Sequence, residues 1–99
     1  MPAYVVATLE IRDPDLYEQY KPLVGPSLEP FGGRLLARAA DYETLEGDFA
    51  PELLVLLEFP TLAEARAWYA SAEYAEAKAL RLRAADGTLL LLGDNTEPL

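Results

Sequence analysis

The side chains able to do chemistry in this sequence are arginines, carboxylates and tyrosines. Arg34 and Arg38 stand four apart in a run that reads as a strand, so the two-residue period puts both on one face, with Leu36 between them. Glu10 and Glu58, in two other predicted strands, fall on the same face. A planar guanidinium there can grip a carboxylate or an enolate through two parallel N–H donors, which makes Arg38 and Glu58 candidate ligand-binding residues. The same residues fit a structural role better, as ion pairs at the margin of a sheet where each charge needs a partner. Arg38 is therefore expected to contact a carboxylate or a backbone carbonyl and to matter more to architecture than to chemistry. Tyr17, Tyr20, Trp68, Tyr69 and Tyr74 form an aromatic set on predicted helices. Most are core pieces whose polar tips reach water. Tyr20, Trp68 and the adjacent Tyr69 are the candidates for lining an apolar pocket in which a phenol orients a ligand.

Absent residue types remove whole classes of mechanism. The chain has no His and no Cys, which excludes a Cys–His pair, a Ser–His–Asp triad, an imidazole or thiolate zinc site and a disulfide. No metal and no cofactor is expected, since carboxylates alone prefer hard cations. Glu43, Glu46 and Asp48 lack calcium-loop spacing and read as a solvated loop. Gly32-Gly33 follows a predicted helix and precedes a strand, the reverse of a phosphate-binding loop, and reads as a helix C-cap. Ser27 and Ser71 have no histidine base, and Ser71 reads as a cap. The balance of 8 basic against 17 acidic residues gives a net charge of −9, which repels nucleic acid and anionic membrane. No apolar run approaches the ~20 residues that span a bilayer. The start, Met1-Pro2-Ala3-Tyr4, has no basic flank or long apolar segment, so the expected location is the cytoplasm. The scarcity of Asn, Gln, Met and Cys is the composition of a heat-adapted source and equally of a high-GC codon bias.

The elements that must position these groups repeat. Residues 3–11 are β-branched and apolar; Asp13-Pro14 then caps a helix expected near 14–21. Pro22, Pro26 and Pro30 predict an interruption and a second helical piece before Gly32-Gly33. Arg34 to Ala40 reads as the second strand, fading towards Leu45. After a polar turn, Leu53 to Phe59 is the third strand, and Thr61 with Glu64 forms a capping box. Leu62, Ala65, Trp68 and Tyr69 supply a buried stripe, and Ser71 caps a further helix from about Glu73 to Ala84. Asp86-Gly87 reads as a turn before the last strand, Thr88 to Leu92, and a loose tail from Gly93. Placing Glu10 over Glu58 aligns Tyr20 with Trp68, as in two related halves. The order is βαββαβ over one domain, 1–99: an α+β, ferredoxin-like protomer with a four-stranded antiparallel sheet.

One helix-covered sheet needs one apolar face, yet these strands are apolar on both. Beside Thr8, Glu10 and Glu58, the second face carries Val6, Leu36, Leu54, Leu56 and aliphatics of the last strand. Each buried leucine contributes roughly 1.5–3 kcal/mol, so that face is expected to meet a second copy of the chain in an isologous homodimer.

Several segments together resemble a known family: Ala3-Tyr4-Val5-Val6, Asp13-Pro14 with Tyr17 and Tyr20, Phe31-Gly32-Gly33-Arg34, Ala37-Arg38, Leu45-Glu46-Gly47-Asp48, Glu58-Phe59-Pro60, Ala65 to Ser71, Glu73-Tyr74, and Lys78 to Arg81. They are similar to the domain of unknown function 1330 family, in the dimeric α/β-barrel superfamily. The resemblance covers nearly the whole chain. It implies a homodimer whose two sheets face each other as a barrel, and no established activity. Related branches hold cofactor-independent monooxygenases, isomerases and small-molecule-binding domains. The monooxygenase branch often has a histidine near its site, as haem-handling relatives do, and this chain has none. The leading functional expectation is a small cytoplasmic protein that binds an apolar, carboxylate-bearing molecule in a pocket of each protomer. Its alternatives are a cofactor-independent isomerase or monooxygenase-like enzyme, with Arg38 stabilising an anion and a tyrosine moving protons, and a non-catalytic assembly module.

Overall fold

A computed structural model describes residues 1–93. The chain runs β1 (Ala3–Ile11), α1 (Pro14–Leu28), a 3-10 turn (Glu29–Phe31), β2 (Arg34–Ala39), β3 (Leu53–Phe59), α2 (Leu62–Tyr69), α3 (Ala72–Ala84) and β4 (Ala85–Gly93). The strands form one antiparallel sheet in the order β2-β3-β1-β4, with the helices on one side. This is the ferredoxin-like α+β protomer expected from the sequence.

Local chemistry sets the boundaries. Asp13 accepts a hydrogen bond from the Leu16 N–H at 3.2 Å, and Pro14 opens α1 where no N–H is needed. The expected break after residue 21 does not occur, and α1 continues to Leu28 through Pro22 and Pro26. The two prolines are four apart and exposed, so they share one solvent-facing stripe. The carbonyls they leave without a helical partner, those of Glu18 and Pro22, can turn to water instead of breaking the helix. The C-cap at Gly32-Gly33 stands: Gly32 adopts φ +69°, and the Gly33 N–H donates to the Leu28 carbonyl at 3.0 Å. Thr61 and Ser71 cap α2 and α3, accepting from the N–H groups of Glu64 and Tyr74 at 3.1 Å each.

Two strand expectations are corrected. Asp86-Gly87 is not a turn; both residues lie inside β4, paired with Glu10 and Leu9. The N–H groups of Arg12 and Asp13 grip the Ala84 carbonyl at 2.8 and 2.9 Å, so the chain passes from α3 into β4 without a connecting loop. Gly87 serves close approach instead, because a Cβ there would lie 1.9 Å from the Thr8 carbonyl oxygen. Asp86 pairs with Arg12 at 3.0 Å. Gly93 belongs to β4, and the rest of the expected tail, 94–99, lies outside the described residues.

The second correction moves a candidate residue. β2 carries a bulge between Leu35 and Ala37: Arg34 faces Glu58 and Leu35 faces Leu57, but Ala37 faces Leu56 and Arg38 faces Val55. One extra residue reverses the side-chain parity beyond it. Arg38 therefore leaves the face of Arg34 and joins Val55 and Leu57 on the helix side. Arg34 stays on the open face and pairs with Glu58 at 2.7 Å, as expected for a structural ion pair.

The core lies between sheet and helices. Trp68, Tyr74, Phe59 and Leu9 are its largest fully buried side chains. The open face shows Val6, Leu54 and Leu56 half-buried, with Leu90 and Leu92 52% and 45% exposed, an apolar surface on a side that no helix covers. Substituting Gly87→Ala is expected to lower stability by roughly 2–3 kcal/mol in thermal or urea unfolding, since β1 and β4 must part to admit the methyl. An unchanged melting temperature would show that the two strands do not approach as closely as described.

Candidate functional site

Three contacts join the helices. The Trp68 ring stacks on Tyr74 with centroids 4.1 Å apart and lies 5.4 Å from the Phe59 ring. The Trp68 indole N–H donates to the Ser27 hydroxyl at 3.0 Å, and that hydroxyl donates to the Val24 carbonyl at 2.6 Å. Ser71 donates to the Trp68 carbonyl at 2.7 Å while capping the helix that carries Tyr74. Side chains of α1, α2, α3 and β3 are thereby fixed around one point.

Beside that point lies a cavity of about 330 Å³ between α1, α3 and the sheet. Its body is aliphatic, from Val5, Leu9, Val24, Leu28, Val55, Leu57 and Leu89. Its polar groups are Tyr17, Tyr20 and Lys21 from α1, Arg38 from β2, and Tyr74 and Arg81 from α3. Among the described residues no Asp or Glu lines it. Arg38 is exposed, at the rim, with its guanidinium carbon 5.7 Å from the centre of the Tyr17 ring. Lys21 approaches the same ring at 5.6 Å and pairs with Glu18 at 2.8 Å. Arg81 is only 5% exposed. Its Nε donates to the Tyr74 hydroxyl at 3.2 Å, and that hydroxyl stands 3.4 Å from the Tyr20 hydroxyl. Burial raises the Tyr20 phenol well above its ordinary range, the neighbouring Tyr74 adds to the rise, and Arg81 opposes it. Tyr20 thus holds its proton and acts as a donor rather than a base.

The structure brings Arg38, Tyr20 and Trp68 together at this cavity. Arg38 reaches it by the parity reversal, and among the described residues it makes no ion pair or hydrogen bond, so the expected carboxylate or carbonyl partner is replaced by the face of Tyr17. Tyr69 lies elsewhere. It lines a second cavity of about 300 Å³ with Ala65, Arg66 and Leu90, separated from the first by shared walls of Val5, Trp68 and Leu89, and Lys78 sits 4.3 Å over its ring. Glu58 is on the open face with Arg34 and does not reach the cavity. Glu10 accepts from the Glu52 N–H at 2.9 Å instead of meeting an arginine. Sequence reading missed Tyr17, Tyr74 and Arg81 as lining residues. A signal existed for the last two: Tyr74, Ala77, Arg81 and Ala84 recur at spacings of three, four and three, one buried helical stripe with an arginine in it. Among the described residues no cluster of three or more Asp or Glu could hold a metal ion, and no helix is long and apolar enough to cross a membrane.

A family model described as a domain of unknown function, DUF1330, matches residues 2–94. No curated protein matches the chain. Among solved structures, a protein of unknown function from Rhodopseudomonas palustris superposes with a TM-score of 0.76 at 22% identity, over 97% of this chain and 84% of that one. A dimeric ferredoxin-like protein of unknown function from Thermobifida fusca gives 0.68 at 19% identity, over 95% and 92%. SnoaB, a cofactor-independent oxygenase from Streptomyces nogalater, gives 0.69 at 9% identity, over 97% and 95%. At these identities the likeness shows a shared fold.

The upward shift of Tyr20 has a measurable consequence. The folded chain keeps a proton that the unfolded chain releases above about pH 10, so the stability this group contributes is complete below that pH and lost as the pH rises beyond it. The melting temperature of the parent is expected to fall more steeply than that of Tyr20→Phe between about pH 9 and about pH 11. Equal alkaline slopes would show that Tyr20 is not held in its neutral form.

Proposed function

The chain belongs to the DUF1330 family, and on that footing we propose that each protomer binds a small apolar molecule bearing a carboxylate in the cavity between α1, α3 and the sheet. The observation that carries this reading is the charge of the wall. In a chain with 17 acidic residues against 8 basic ones, a largely aliphatic cavity is lined by Arg38, Arg81 and Lys21 and, among the described residues, by no acid. An aliphatic wall suits an apolar body, and arginines suit a carboxylate through paired N–H donors. Arg38, at the rim and without a carboxylate partner among the described residues, is positioned to meet the incoming anion; Tyr20 and Trp68 contribute wall.

The test uses benzoate and its neutral counterpart benzamide as calorimetric probes. Benzoate is expected to bind and benzamide to bind at least about tenfold more weakly, the scale of one lost charge-assisted hydrogen bond. Arg38→Met is expected to weaken benzoate by a similar factor with an unchanged melting temperature, because among the described residues the exposed guanidinium makes no ion pair or hydrogen bond and lies only over the Tyr17 face. Equal binding of benzoate and benzamide would overturn the reading, and so would an Arg38→Met variant that binds benzoate as the parent does.

A second reading, a cofactor-independent enzyme of isomerase or oxygenase type, is favoured by the hydroxyl pair of Tyr20 and Tyr74 beside Arg81 and by the fold shared with SnoaB. Turnover of a bound ligand, rather than its simple retention, distinguishes the two.

The quaternary proposal is a homodimer through the open sheet face. Its support is the apolar surface of Val6, Leu54, Leu56, Leu90 and Leu92, together with the dimeric state of the Thermobifida fusca relative. Light scattering is expected to report twice the chain mass for the parent and a shift to monomer for Leu56→Lys. A parent that is monomeric, or a variant that remains fully dimeric, would overturn this arrangement.

A further inference from the structure

We infer that Arg81, Tyr74 and Tyr20 form a buried oxyanion site at the inner end of the cavity, one that takes a weak oxygen acid, a phenol or an enol, as its conjugate base. This deepens the proposal that the cavity receives an anionic ligand and rests on it; it assigns the inner residues and widens the ligand class beyond carboxylates.

The argument is a count of donors. A guanidinium carries five N–H donors, always protonated. In Arg81, 5% exposed, only Nε has a protein acceptor among the described residues, the Tyr74 hydroxyl at 3.2 Å. No carboxylate pairs with it there. A buried cation without a counter-charge is costly unless something of opposite sign reaches it. The two phenols supply two O–H protons, and their mutual contact at 3.4 Å uses one. Whichever hydroxyl donates within the pair, the other proton has no acceptor among the described residues. Tyr74, Tyr20 and Arg81 all line the cavity, and among the described residues no side-chain polar atom without a partner is fully closed off, so the spare guanidinium donors remain reachable.

The groups around an oxygen bound here leave its charge little opposition. The titratable or charged residues of the wall are Tyr17, Tyr20 and Lys21 from α1, Arg38 from β2, and Tyr74 and Arg81 from α3; the wall residues of β1, β3 and β4 are aliphatic, and α2 adds Trp68. Three are cations and three are phenols. Among the described residues the single carboxylate paired to any of them, Glu18 on Lys21, is not part of the wall. Since burial keeps the Tyr20 proton in place, the site donates hydrogen bonds and does not itself remove a proton. The ligand's O–H bond breaks to solvent: the proton leaves to water, the electron pair stays on the oxygen, and the site holds the anion. No oxidant or further reactant is involved.

The test is a titration of the intact protein with 4-nitrophenol, whose phenolate alone absorbs in the visible, across the pH range in which the free compound ionises. Calorimetry with benzoate runs in parallel. The bound compound is expected to be phenolate at a pH where the free compound is largely phenol, with a preference of at least about tenfold, one unit of its apparent acidity. Tyr74→Phe keeps the ring that stacks on Trp68 and removes its hydroxyl; Tyr20→Phe removes the other. Each is expected to return most of the preference towards the free value, with the parent's far-ultraviolet circular dichroism. Nitrophenol that binds with unchanged acidity, or that fails to bind while benzoate binds, overturns the buried oxyanion site and leaves the carboxylate reading standing. A shift unaltered in both variants also overturns the assignment to these residues. If neither compound binds, both proposals fall.

Discussion

The stack of Trp68 on Tyr74 is the contact on which the rest of the structure depends. It brings α2 and α3 to a separation of 4.1 Å between ring centres, and Phe59 ties the same indole to β3. A ring buried this deeply must satisfy its N–H, and Ser27 does so from α1. The loss of that hydroxyl would leave a buried donor unpaired, at a cost of about 1–3 kcal/mol. The stack also fixes the Tyr74 hydroxyl, since a fully buried ring stacked on its neighbour has little freedom to move its para oxygen. Packing and polar geometry are therefore one problem here, and the cavity follows from it. The large rings of Tyr20, Trp68 and Tyr74 and the smaller Val5, Ala7 and Val24 line it together.

Most of the fold is legible in the sequence because it rests on short-range rules. Strand composition, the Asp13-Pro14 start, the Thr61 and Ser71 caps and the Gly32-Gly33 stop each act within a few residues, and each is found in the structure. The misread features share a different cause. Pro22 and Pro26 break a helix only if the carbonyls they orphan are buried, and burial depends on what packs against α1. Asp86-Gly87 has the composition of a turn, but the grip of Arg12 and Asp13 on the Ala84 carbonyl comes from the far end of the chain, and it draws both residues into a strand.

The site was harder to read because one extra residue decides it. Alternation places Arg38 beside Arg34 only if β2 is regular; the bulge at Leu36 has no glycine or proline to announce it. With the parity reversed, one arginine stays on the open face, where an ion pair 68% and 24% exposed contributes little. The other is delivered to the cavity rim. Arg81 was overlooked for the opposite reason. Its helical stripe is regular, but its neighbours Ala77 and Ala84 are small, and Leu80 and Leu82 beside it look like better core residues. In the structure Leu82 is 56% exposed and Arg81 is buried, an inversion that costs free energy on both counts. Such an inversion is what a binding site looks like when its ligand is counted as part of the charge balance.

A net charge of −9 opposes anions at long range, and distance reconciles this with a basic cavity. At physiological ionic strength a surface charge is screened over about 8 Å, so the acidic exterior repels broad polyanions, which must face many carboxylates at once. A compact monoanion meets only the groups near its path. At the rim these are Arg38 and Lys21, and Lys21 is half-neutralised by Glu18. A ligand bound as proposed would meet Arg81, itself only 5% exposed, at a lower effective dielectric constant than at the surface. The acidic surface and the basic cavity then act in the same direction. On the proposed reading, the first disfavours nucleic acid and anionic lipid and the second favours a small acid, so the selection would rest on how many charges the visitor carries and how closely they are packed.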